Sequence, residues 1–132
     1  MELLVVIAII GILSSIVLAS LNKARDKGQD AKVKAQLSGV KNAAVSYQDT
    51  NGDFGLATDA CDNMFADGPS GMAAYTDLTN YPPNTNITCR SDGASYAMTG
   101  TLISTTDFWC VDSTGAAQEI PADLAAGDTT CN

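Results

Sequence analysis

From Leu3 to Leu21 the chain reads LLVVIAIIGILSSIVLASL, 19 residues without a charge. As an α-helix this stretch is about 28 Å long, close to the ~30 Å hydrocarbon core of a bilayer. A helix packed inside a domain of only 132 residues would keep one polar face for water. This one has no polar face, so it needs lipid or copies of itself around it. A cleaved signal peptide carries basic residues before its apolar run and a small-residue cleavage site after it. Here Glu2 comes before, and the basic cluster from Lys23 to Lys34 comes after. A plain signal anchor would keep that cluster in the cytoplasm. It would also leave the cysteine-bearing region in a compartment where disulfides do not persist.

Charge divides the chain in two. Residues 1–41 hold six cations (Lys23, Arg25, Lys27, Lys32, Lys34, Lys41) against Glu2, Asp26 and Asp30. The rest holds Arg90 alone against twelve acids, which brings the formal net charge to −8. A nucleic-acid binder of this size is expected to be basic, so direct nucleic-acid binding is not expected. Histidine is absent, which removes the commonest metal ligand and every Ser-His or Cys-His nucleophile pair. Cys61, Cys89, Cys110 and Cys131 all lie in the acidic part, with no C-x-x-C among them. An even count at such wide spacing reads as two disulfides formed in an oxidising compartment, not as a metal site.

The run ELLVVIAIIGIL, followed by small residues and a long amphipathic stretch, resembles the N-terminus of type IV pilins and pseudopilins. Glu2 matches the glutamate that family carries there, Met1 the apolar residue before it, and Gly11 a glycine of its hydrophobic segment. The resemblance is specific over residues 1–21 and architectural beyond them. The family's Gly-Phe processing site and Phe-Thr-Leu start do not occur here, so the native precursor is expected to extend upstream of Met1, where prepilin peptidase would cut.

The resemblance implies an α+β fold. A long N-terminal helix would have a hydrophobic first half, and its second half would pack on a small antiparallel sheet with disulfide-stapled loops. It implies a structural subunit, not an enzyme, needing no cofactor and forming a homo-polymer through its N-terminal helices. Before assembly the subunit would sit in the inner membrane, beside the pilus assembly machinery. Afterwards it would belong to an extracellular filament, in a family that serves twitching motility, adhesion and DNA uptake. Glu2 would act on entry, by pairing with the N-terminal amine of a neighbour. The alternative within the family is a pseudopilin of a type II secretion system, some of which bind calcium among their C-terminal loops. Asp107, Asp112, Asp123 and Asp128 leave calcium open.

Residues 1–21 are thus expected to form the anchor and filament core, and residues 22–132 the head. Val33, Leu37, Val40, Ala44 and Tyr47 recur at helical spacing and predict a helix over 22–48, facing a core. It should end in the turn formers Gln48–Asp53. Gly11, with Ser14 and Ser15 nearby, is expected to loosen the helix once packed in a filament. Residues 49–94 read as loop-rich, with a short helix near 71–80 that turns Met72, Tyr75 and Leu78 inward. Residues 95–132 read as a three-strand meander (95–102, 107–112, 116–120) and a C-terminal loop, with Tyr96 and Met98 sharing one strand face.

Other motifs carry less. Asp49-Thr50-Asn51-Gly52-Asp53 starts like an EF-hand loop, but Phe54 and Ala60 occupy the positions that need Gly and Glu. It reads as a turn. Asn86-Ile87-Thr88 is an N-glycosylation sequon, with chance occurrence the favoured explanation. Trp109 beside Cys110 is expected to pack around a disulfide. An electron-transfer filament is disfavoured, because no C-x-x-C-H motif exists and only 6% of residues are aromatic.

Four cysteines allow three connectivities. Cys61–Cys89 with Cys110–Cys131 is the expected one. Cys110 falls in an expected strand and Cys131 in a tail with little apolar content to hold it down. The other pair then ties together the loop-rich region.

Overall fold

Apolar residues at helical spacing from Val33 to Tyr47 belong to one much longer helix. The computed structural model describes all of residues 1–132. In it α1 runs unbroken from Glu2 to Asn51, 50 residues. It passes through Gly11 without interruption and ends three residues later than the turn signal at Gln48 suggests. Asp49, Thr50 and Asn51 still complete a last turn: the Thr50 hydroxyl donates to the Ser46 carbonyl and the Asn51 amide to the Tyr47 carbonyl. Gly52 stops the helix. Its φ of 88° is left-handed, and its N–H donates to the Gln48 carbonyl at 2.7 Å.

Four antiparallel strands follow in the order β1 (Ile87–Ser91), β2 (Tyr96–Thr101), β3 (Phe108–Asp112) and β4 (Ala117–Ile120), each paired with the next. The sheet thus has one strand more than the sequence suggests. β1 lies inside the stretch read as loop, with Cys89 opposite Met98 and Ser91 opposite Tyr96. Between α1 and β1 the chain makes two short 3₁₀ turns, Asn63–Ala66 and Leu78–Asn80, and a one-turn helix α2, Ala73–Thr76. Met72 is fully buried and Tyr75 partly so, but Leu78 is exposed, contrary to the expected inward face. A single turn and a 3₁₀ turn do not hold the 3.6-residue period that would bring all three residues to one side.

The core lies between α1 and one face of the sheet. Val33, Leu37, Val40 and Ala44 of the helix meet Tyr96, Met98 and Val111 of the strands. Phe54, Met64, Phe65, Met72 and Tyr81 close it from the connecting segment. Gly39 lets α2 come close: a Cβ there would lie 2.4 Å from the Tyr75 ring. The other face of the sheet is also covered. Ala97, Cys110 and Ile120 pack with Leu124 and Cys131 of the C-terminal tail. β2 is therefore buried on both faces, not alternately as its sequence suggests. Trp109 points toward the helix side while Cys110 points toward the tail, because consecutive strand residues face opposite ways. Trp109 does not pack around the disulfide. Its ring lies beneath Lys34, whose Nζ is 4.7 Å from the ring centroid.

A buried acid fixes how the sheet sits on α1. Asp30 is the first buried residue of the helix. Its carboxylate accepts the N–H of Ile103 at 2.5 Å and hydrogen bonds from the N–H and hydroxyl of Ser104. The loop between β2 and β3 is thereby pinned to the helix at the end of the head nearest the apolar half.

Candidate assembly surface

Nothing in the chain covers the first half of α1. Every residue from Met1 to Arg25 is exposed, including Leu3 at 74%, Ile12 at 62% and Leu21 at 63%. By length and composition this helix can cross a membrane. Ile10, Leu13, Ser14, Val17 and Leu18 line a shallow apolar groove along one side, at the spacing by which one helix receives the ridge of another. Ser15 satisfies its own hydroxyl by donating to the Ile12 carbonyl at 2.8 Å, so it adds no unmet polar group to an apolar setting. Glu2 is the only acid in the first helical turn and has no ion-pair partner within the chain. A carboxylate is favoured there by the helix dipole. Gly11 has no neighbouring atom within 4 Å of where a Cβ would stand, which leaves that point of the helix open to close approach.

The cations next along the chain divide by use. Lys34 pairs with Glu119 of β4 at 2.6 Å, and Lys41 lies against Gly115 in the β3–β4 turn. Lys23, Arg25, Lys27 and Lys32 are exposed and make no ion pair in the subunit.

Both cysteine pairs form as expected from the sequence. Cys61–Cys89 ties the connecting segment to β1, and Cys110–Cys131 ties the tail to β3. Polar bonds reinforce the tail. Asp123 accepts from the Thr99 hydroxyl at 2.5 Å and the Thr88 hydroxyl at 2.6 Å. Arg90, the only cation of the acidic part, donates to the Ala125 and Leu124 carbonyls and to the Asp59 carbonyl, and pairs with the Asp59 carboxylate at 3.3 Å.

Asp112 is buried among four donors. The N–H and hydroxyl of Thr114 and the N–H of Ala116 reach one oxygen, and the Cys131 N–H reaches the other at 2.8 Å. Burial by itself pushes this carboxyl up, but the hydrogen bonds together outweigh it and hold Asp112 below its ordinary value of 3.8. A lowered carboxyl stabilises the fold above its unfolded-state pKa, and that contribution is lost as pH falls through the folded-state pKa. Thermal stability should therefore fall on acidification below the ordinary carboxylate range. Asp112→Asn should shrink that fall, as read from melting temperature against pH. An acid dependence identical in the variant would show that Asp112 carries none of it.

Three other sequence candidates are placed as follows. No three acids come together in a metal-holding group. Asp112 and Asp123 are occupied by the bonds above, and Asp128 accepts from Thr130. Asp49 to Asp53 form the end of α1 and its cap. Asn86 is exposed just before β1, while the Thr88 hydroxyl of its sequon is bonded to Asp123. The sequence alone does not single out Asp30, because one acid among helix residues looks like a solvated one until its long-range loop partner is known. Compared with known proteins, the chain matches no family model, no curated protein and no solved structure.

Proposed function

We propose that the protein is the structural subunit of a type IV pilus-like extracellular filament, assembled through its N-terminal helix. The observation that carries this reading is the bare apolar half of α1, joined without a break to a separately cored, doubly disulfide-bonded head. In a monomer the apolar half has only lipid to bury it. Side by side in a filament, such helices bury one another and leave the heads outside, where disulfides endure. The helix anchors the subunit in the membrane first and becomes filament core afterwards. Electron microscopy of cells with and without the gene tests the proposal. Filaments labelled by an antibody to the head should be present in the first and lost in the second. A head antigen that stays in the membrane fraction, with no filament, would overturn it.

A further inference from the structure

One stretch of α1 is covered neither by apolar company nor by the head. The apolar run ends at Leu21, and the first buried helix residue is Asp30. Between them Lys23, Arg25 and Lys27 stand exposed, with Lys32 just beyond, all without an ion-pair partner. The far end of the head has the opposite character. Asp49 and Asp53 lie at the C-terminal end of α1, and the Phe54 N–H donates to the Gly93 carbonyl beside Asp92. Thr58 bridges to Ser91, and its hydroxyl donates to Asp62. Asp59 accepts the Gly127 N–H, next to Asp128. Six carboxylates thus gather at that end around one cation, Arg90, which serves Asp59. The subunit is a rod with a basic collar and an acidic tip.

We infer that the basic collar docks on the acidic tip of a second copy's head. The inference rests on the filament reading and adds to it a contact outside the apolar core. Two parallel helices meet collar to tip when staggered by about 36 Å, the rise of the residues from Lys27 to Asn51. Lys41, the other cation outside an ion pair, stands within the head against the β3–β4 turn. Anionic lipid is the competing occupant of the collar. With the head outside, however, the collar lies on the side of the membrane opposite to the one that basic residues favour. Lipid attraction would also leave the acidic tip without a counterpart. Such paired patches give register and partner choice more than raw affinity.

Charge reversal in the full chain tests this. A collar variant carries Lys23→Glu, Arg25→Glu and Lys27→Glu. A tip variant carries Asp49→Lys, Asp53→Lys and Asp128→Lys. Protease resistance of the oxidised head checks that each is folded. Each variant alone should lose at least about tenfold in filament yield, because like charges then face each other across the contact. Expressed together they should recover, since each collar then meets the tip of the other variant. Wild-type yield from either variant alone, or no recovery on mixing, would overturn the inference. So would failure of the collar variant only, accompanied by lost binding to phosphatidylglycerol vesicles, which would assign the collar to lipid. Absence of filaments from the unaltered chain would instead bring down the filament reading, and this inference with it.

Discussion

Glu2→Ala is expected to give a folded, membrane-inserted subunit that does not enter filaments. Glu2 lies about 42 Å along the helix from Asp30, where the head begins, so the substitution cannot disturb the core. It also removes a charge from an apolar segment, which makes insertion in lipid easier. The loss falls on assembly. In the filament reading Glu2 is enclosed by apolar neighbours and paired with the amine of an adjacent subunit. Removing one partner of such a buried pair leaves the other charge uncompensated, at a cost of about 3–5 kcal/mol. Each subunit in the polymer would lose that contact, so filament yield should drop by at least about a hundredfold. Immunoblots of sheared filament and membrane fractions would measure it. Wild-type yield from the variant would sink the pairing role.

The second large effect is expected from opening the Cys110–Cys131 bond. Cys110→Ser with Cys131→Ser removes a closure of 21 residues, worth about 3 kcal/mol in the chain-entropy model. The tail would also loosen its cover over Ala97, Ile120 and Leu124 and the bond from the Cys131 N–H to Asp112. For a head of this size the melting temperature should fall by about 10–20 °C. Limited proteolysis should then cut first within residues 121–132. An unchanged melting point and cleavage pattern would mean that the polar bonds of Arg90 and Asp123 hold the tail without the disulfide.

These two sites differ in how far they could be read from sequence, and the difference is physical. The anchor and the Val33–Tyr47 stripe are repeating patterns of apolar side chains, and such periodicity is local information. The cysteine pairing is readable because the tail has little apolar content of its own to hold it down. β1 is not. Its outward residues Thr88 and Arg90 face a tail that holds them by hydrogen bonds, so the strand is polar where a covered strand is usually apolar. For a related reason the sequence does not place Trp109. Sequence neighbours in a strand are not spatial neighbours, and only the sheet register separates it from Cys110. Asp30 is non-local as well, since its partners at Ile103 and Ser104 lie more than 70 residues away.

The sheet that α1 carries is open, and an open sheet invites strangers. Strands at its margins offer unpaired backbone groups on which another chain can add itself. Along β1 that margin is occupied in part by the Thr58–Ser91 bridge. Along β4 it is short, only four residues, carries Glu119, and is followed by Pro121, which has no N–H to extend the ladder. In the filament reading, subunits crowded against one another would otherwise be able to add strand to strand, as amyloid-like aggregates do. Blunted margins close strand addition as a route by which copies of this chain can join.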